Sequence, residues 1–196
     1  MEKNTKKRIA ITGGIGSGKS LVCSLLVELG EVCFSCDAIS KSLWKNEIYL
    51  KGLSTLFPSA CVNGVVDKKL LSALVFSDEV ALKRLNEYSH PQIMEQLYAN
   101  MENASASKVF AEVPLLFEGS YEKNFDKIIV VVREKAARIQ AVSLRDGCTT
   151  SEVEERISVQ FDYKTLSQKD EKIIVLNNDN SIDELRRGLL QILNAL

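Results

Sequence analysis

The sequence predicts an α/β fold: a parallel five-stranded sheet with helices on both faces, a helical insertion and a helical lid. Three observations carry this prediction. Short apolar runs recur at Arg8 to Thr12, Glu31 to Phe34, Lys108 to Val113, Lys127 to Val132 and Lys172 to Leu176. The clearest of them, Lys127 to Val132, lacks the alternation of a half-solvated strand and suits a sheet covered on both sides. Segments with apolar residues at helical spacing separate the runs, and the interval between the second and third is far longer than an ordinary crossover.

Each element has a local reason. After Gly18, residues Leu21, Val22, Leu25, Leu26 and Leu29 share one helix face, and Gly30 stops it. Asp37 is placed to cap a helix through about Trp44. From Glu47 to about Met101 the pattern is mostly helical, broken at Phe57-Pro58 and at Val62-Asn63-Gly64. Within it Asp67 caps the stretch carrying Leu70, Leu71, Leu74 and Val75. Asp78 caps a longer helix, with an interruption expected near His90-Pro91. Arg133 to Arg145 and Ser151 to Tyr163 read as charged helices poor in large apolar residues, a composition that suits a flap better than a core. Ile182, Leu185, Leu189, Leu190 and Leu193 form a closing amphipathic helix. The expected organisation is one domain over residues 1–196. Its core comprises 1–46, 106–133 and 171–196, its helical insertion 47–105 and its lid 134–170.

Composition narrows the functional classes. The 196 residues carry 25 Lys+Arg against 26 Asp+Glu, a net charge of -1, so nothing global draws the chain to nucleic acid or an anionic membrane. No apolar run is long enough to span a bilayer. The first residues are basic and then apolar, but glycines arrive too soon for a signal peptide, so a cytoplasmic location is expected. Five cysteines are an odd count without disulfide-scaffold density. Cys33 and Cys36 form a C-x-x-C with no second pair, and His90 is the one histidine, so free thiols are expected rather than zinc.

The chemistry starts at Gly13-Gly14-Ile15-Gly16-Ser17-Gly18-Lys19-Ser20, which satisfies G-x-x-x-x-G-K-[ST] between a strand and a helix. Glycines allow backbone torsions that let N–H groups turn inward around a phosphate. The helix that follows points its positive end at the same anion. In this motif Lys19 reaches the terminal phosphates and the Ser20 hydroxyl serves Mg2+. A glycine-rich turn that merely joins strand to helix would not need Lys-Ser in this register. Nucleoside triphosphate binding follows; the second substrate does not.

Other residues are candidates with a bland alternative beside them. Asp37 follows the second strand, at the end where ligands gather in an open parallel sheet, and could accept a hydroxyl proton during phosphoryl transfer. It could equally be a plain N-cap. Glu112 and Glu118, after the third strand, are candidates for the magnesium shell, or for surface and helix-end duty. Arg138 and Arg145 share a helix face and Arg156 follows on the next helix. They form either a solvated face or a source of guanidinium groups that neutralise transferred charge.

Taken together, these residues resemble the dephospho-coenzyme A kinase family. ITGGIGSGKS is similar to its phosphate loop, NGVVDKKLLSALVFSDEVALKRLNEYSHPQI to its inserted helical domain, and EVPLLFE to its Pro-Leu-Leu-x-Glu element. LRDG, RISVQ and LNNDNS are similar to its lid and nucleotide-base loop. The resemblance implies ATP-dependent phosphorylation of the ribose 3′-hydroxyl of dephospho-coenzyme A, the last step of coenzyme A synthesis; Mg2+ is the expected cofactor, and a monomer is expected. It implies ATP and phosphate contacts at Gly14, Ile15, Gly16, Ser17, Gly18, Lys19, Ser20 and Leu21. Asn178 matches the asparagine beside adenine, Asp37 the general base and Arg145 a lid arginine acting with Lys19 in catalysis. Arg138 and Arg156 join the lid. His90 and Glu118 are assigned to the acceptor side, a packing role being equally open for His90.

Some positions depart from that pattern. Ser35 stands where a first aspartate is usual and Cys36 where a small residue is common, which removes one carboxylate and leaves Asp37. Leu21 follows Ser20 where threonine is common. Ala141 replaces a second lid arginine, for which Arg138 is the available substitute. Asn180 replaces a loop glycine and Lys68 a frequent arginine. A nucleotide monophosphate kinase on the same fold is a second reading, although the insertion supplies few arginines for an acceptor phosphate. A non-catalytic ATP-binding regulator is a third. Asp37→Asn is expected to lower turnover sharply while leaving ATP affinity largely intact; unchanged turnover in a steady-state assay removes Asp37 as the base.

Overall fold

The computed structural model describes residues 6–166 and 170–196. Residues 1–5 and residues 167–169 of the expected lid lie outside the described residues. The chain divides into two compact units, one formed by residues 1–34 and 103–196, the other by 35–102.

The first unit is built on a five-stranded sheet. Strand β1 (Lys7–Thr12) leads through the glycine loop into helix α1 (Lys19–Glu28), and β2 (Val32–Ser35) follows. Beyond the second unit come β5 (Lys108–Glu112) and β6 (Lys127–Val132), then helices α6 (Lys135–Asp146) and α7 (Thr150–Ser158), strand β7 (Ile173–Asn177) and helix α8 (Ile182–Ala195). The strand order is β2-β5-β1-β6-β7, which puts β1 at the centre. Strand β1 pairs in parallel with β5, Ile11 level with Glu112, and with β6, Ile11 level with Ile129. Strand β7 pairs in parallel with β6.

The unalternating apolar runs have the expected cause. Ile9, Ala10 and Ile11 are all fully buried although they point to alternate faces, so both faces of the central strand are covered. One face meets Val22, Leu25 and Leu26 of α1 and Leu185 and Leu189 of α8, over Phe110, Ile129, Val131 and Leu176. Loop chemistry sets the helix ends: Ser181 caps α8 through Glu184 N–H, and Thr149 with Glu152 forms a reciprocal capping box on α7.

The second unit contains α2 (Cys36–Leu43), α3 (Glu47–Leu56), α4 (Lys68–Ser77) and α5 (Glu79–Asn103), with a small antiparallel hairpin of β3 (Cys61–Val62) and β4 (Val65–Val66). Leu43, Tyr49, Leu53, Phe57, Ala60, Val66, Leu71 and Ala81 make its core. Helix α2 belongs to this unit, with Leu43 packed into that core. Tyr49 anchors the interior: its ring stacks on Tyr88 at 5.4 Å and its hydroxyl pairs with Ser89 Oγ at 2.9 Å.

Three local expectations are corrected. Ser35, not Asp37, caps α2, its Oγ accepting from Ala38 N–H; Asp37 lies in the exposed first turn, where a carboxylate also favours the helix dipole. Val62-Asn63-Gly64 is not a simple break but a hairpin turn. Asn63 and Gly64 have φ of 51° and 78°, the left-handed pair that a two-residue turn needs. Helix α5 runs unbroken through His90-Pro91. Proline removes one backbone donor there, and in the same stretch the Gln92 side-chain amide donates to Tyr88 O at 2.8 Å. Asp67 caps α4 as expected, accepting from Lys69 and Leu70 N–H, both at 2.9 Å.

Leu26, fully buried between α1 and the sheet, tests the first core. Leu26→Ala is expected to cost about 2–5 kcal/mol of unfolding free energy, read from the denaturant midpoint. A shift well under 1 kcal/mol would show that this face does not carry the fold.

Candidate active site

Strand β1 ends at Thr12, and the six residues Gly13 to Gly18 turn the chain into α1. Gly13, Gly16 and Gly18 have φ of 148°, 76° and 97°, and Gly18 occupies the N-cap of α1. With glycine there, no side chain caps the helix, so its first N–H groups are left for an anion. A Cβ on Gly18 would lie 2.2 Å from Asn178 Nδ2, so the position is closed to larger residues sterically as well as conformationally.

Lys19 Nζ folds back to donate to Gly13 O at 2.7 Å and Gly14 O at 3.1 Å. Ser20 Oγ donates to Glu112 Oε1 at 2.8 Å. That pairing follows from sheet register. Glu112 is the last residue of β5, level with Ile11 on β1, and its buried carboxylate reaches the first turn of α1. A hydroxyl and a carboxylate side by side are hard oxygen donors of the kind Mg2+ takes alongside phosphate and water, so these two residues fit that ion. The described residues contain no cluster of three or more acidic, cysteine or histidine side chains that could hold a metal without such help.

The α6–α7 pair and the segment after it lie against the loop. Arg138 Nε donates to Ile15 O at 2.8 Å, and a Cβ on Gly14 would fall 2.3 Å from an Arg138 terminal nitrogen. Burial lowers the Arg138 pKa, while the nearby phenol oxygen of Tyr163 acts electrostatically in the opposite direction. Ile15 N–H donates to Gln160 Oε1 at 2.8 Å. Tyr163 OH lies 3.3 Å from Thr12 Oγ1, and burial raises its pKa against that hydrogen bond. Phe161 stacks on Phe117 at 4.6 Å and its N–H donates to Glu118 Oε1 at 3.1 Å. Gly14, Ser17, Arg133, Arg138, Gln160 and Tyr163 are among the residues that line a cavity of about 510 Å³ beside the loop. Ser17 Oγ and Arg133 Nε are buried there without a hydrogen-bond partner.

The residues singled out in the sequence divide accordingly. Lys19, Ser20, Glu112, Arg138 and Asn178 converge on the loop. Asn178 holds it, Nδ2 donating to Ser17 O at 2.8 Å, while its own N–H donates to Val132 O at 2.9 Å. Arg145 and Arg156 do not reach the loop: both pair with Asp146, at 2.7 and 3.1 Å, on an exposed face. Those guanidinium groups, the Arg145 hydrogen bond foremost, hold the Asp146 pKa below the usual value. Glu118 serves the Phe161 backbone. Leu21 packs against the sheet core. Asp37 and His90 belong to the second unit, His90 half-buried on α5. Gln160 is the last residue of the RISVQ element and Tyr163 ends the expected second lid helix, but nothing in the sequence assigns either a role. Polar and aromatic residues just past a helix end carry no periodic signal, and only the fold brings them to Gly13–Ile15.

Residues 7–184 match the family model described as dephospho-CoA kinase. The chain belongs to the dephospho-CoA kinase family. A dephospho-CoA kinase of Thermus thermophilus is 35% identical over 188 residues, covering 96% of this chain and 91% of the relative. A crystal structure from Thermus thermophilus superposes with a TM-score of 0.81 at 35% identity, covering 97% of each chain. A dephospho-CoA kinase from Campylobacter jejuni does so with a TM-score of 0.66 at 26% identity, covering 95% of each. Kinase chemistry, the five-stranded P-loop fold and nucleotide binding are thus properties of this dephospho-CoA kinase family chain.

His90 gives a pH signature. Burial lowers its pKa from 6.5, so the unfolded chain binds the proton more readily. Stability from this residue is complete above pH about 6.5 and falls as pH drops through and below that value. The urea midpoint of the wild type is expected to fall more between pH 7.5 and 5.5 than that of His90→Gln. Equal falls would remove His90 as the cause.

Proposed function

We propose that the chain transfers the γ-phosphoryl group of ATP to the ribose 3′-hydroxyl of dephospho-coenzyme A, giving coenzyme A and ADP. The observation that carries this reading is the Ser20–Glu112 pair beside an uncapped glycine loop, in a chain whose family acts on dephospho-CoA. Phosphoryl transfer asks little covalent chemistry of a protein; it asks for positioning and for charge placed in advance.

In this reading the N–H groups at the start of α1 hold the phosphate chain, and Lys19 leaves Gly13 O and Gly14 O to follow the phosphoryl group. Ser20 and Glu112 would hold Mg2+, which supplies charge neutralisation across the phosphates. Arg138 has the same function from the loop's other side, Nε fixed on Ile15 O. This answers the absent arginine at Ala141 with one already at the loop. Asp37 orients the acceptor hydroxyl and takes its proton, the role its position just past β2 suggests. The unit 35–102 contributes the acceptor site, and the lid arginines Arg145 and Arg156 leave Asp146 when both substrates are present. Asn178 shapes the loop beside the base.

The test is purified chain with magnesium-ATP and dephospho-coenzyme A, products read by mass spectrometry. Coenzyme A and ADP are expected in equal amounts, and Lys19→Ala should lower the rate by at least about a hundredfold, the scale of a lost charge-stabilising group. ADP without coenzyme A would point to another acceptor, with monophosphates tested next. ATP binding without turnover would favour the regulator reading.

A further inference from the structure

Ile15 is held from both sides. Its N–H, in the Gly14–Ile15 peptide, donates to Gln160 Oε1 at 2.8 Å, and its carbonyl, in the Ile15–Gly16 peptide, accepts from Arg138 Nε at 2.8 Å. In a trans peptide the N–H and C=O point in opposite directions, and the described chain has no cis bond. The other end of the first plane, Gly14 O, accepts from Ser17 N–H at 3.1 Å and from Lys19 Nζ at 3.1 Å. One rigid plane thus has Gln160 at one edge and the Lys19 ammonium at the other.

We propose that Gln160 is a positioning residue, which sets the Gly14–Ile15 plane and through it the rest position of Lys19 and the donors that follow. This rests on the function proposed above. Gly14, like the other loop glycines, has no Cβ to restrict its torsions, and its neighbour Ile15 is the first side-chain-bearing residue after two glycines. Without an external acceptor the plane can rotate, and the N–H would lose its partner in a partly buried site. Gln160 is itself fixed. It lies next to Phe161, whose ring stacks on Phe117 and whose N–H is held by Glu118. Arg138 reinforces the second plane and is oriented by it, so the clamp also aims the guanidinium that packs over Gly14. Segment 159–166 is thereby linked to the loop by a hydrogen bond to Ile15.

Gln160→Met keeps length and volume and removes the acceptor; Gln160→Asn withdraws it by one methylene and covers the case in which the methionine variant fails to fold. Both are expected to raise the ATP KM and the tripolyphosphate Kd about two- to tenfold, the range set by one neutral hydrogen bond. The kcat should fall, the dephospho-coenzyme A KM should stay within twofold of wild type, and the Ile15 amide should exchange faster by NMR. Unchanged ATP KM and kcat with faster Ile15 exchange would overturn the proposal. So would equal loss for both substrates with a lowered melting temperature, which marks a structural role. Tripolyphosphate binding reads the clamp without an acceptor or a base. A change there, beside a wild type that makes no coenzyme A, would keep the clamp and reject the assigned reaction.

Discussion

A site for a phosphate chain needs backbone N–H groups that the protein does not use itself, and most of this fold is arranged around that constraint. Unpaired donors in a semi-buried place are costly, and here they are concentrated at the uncapped first turn of α1, just past the six-residue turn Gly13 to Gly18. The cost is met by holding everything else in the loop. Asn178 fixes the Ser17 carbonyl, Lys19 occupies the carbonyls of Gly13 and Gly14, and Arg138 and Gln160 fix Ile15. The loop's carbonyls are satisfied by side chains while the donors at the start of α1 are left uncapped. That division makes the loop an anion receptor rather than a disordered turn.

The central position of β1 is what makes the holding feasible. With β5 on one side and β6 on the other, the loop leaves the sheet where two further strand ends lie beside it. Strand β5 brings Glu112 to Ser20, and the turn after β7 brings Asn178 to Ser17. Ligand chemistry at the carboxyl edge of a parallel sheet is therefore a matter of register. A shift of one residue in β5 would turn the Glu112 side chain to the opposite face.

Much of this was readable in the sequence. The glycine-lysine-serine pattern, the unalternating apolar strands and the spacing of Leu21 to Leu29 are local signals, and each has a physical meaning that does not depend on what packs nearby. Asp67 as a cap is of the same kind. What sequence could not supply was choice among competent neighbours. Ser35 and Asp37 can both cap α2, and strand exit geometry selects Ser35. Arg138, Arg145 and Arg156 carry the same charge, yet an acidic residue in the same helical pair, Asp146, takes two of them and leaves Arg138 for the loop. Pro91 read as an interruption because one lost hydrogen bond looks expensive in isolation, whereas a 25-residue helix with Met94, Leu97 and Met101 buried has ample packing to hold it. The C-x-x-C drew attention to Cys33 and Cys36, but Cys33 Sγ donates to Phe34 O at 3.8 Å, and its interaction with Cys23 of α1 raises the Cys23 pKa.

The insertion has a consequence for how the chain reaches its native state. Strands β1 and β5 are neighbours although Lys7 pairs with Lys108, about a hundred residues later. Closing so long a loop costs entropy before the pairing returns anything, and non-local parallel pairing is the slow step of such topologies. Residues 35–102, however, carry a core of their own around Tyr49, Leu53 and Leu71. Once that core has formed, the searching chain is a folded body with two short tethers rather than a long free loop. The segment that separates β2 from β5 in sequence thereby shortens the search that brings β5 to its place between β2 and β1.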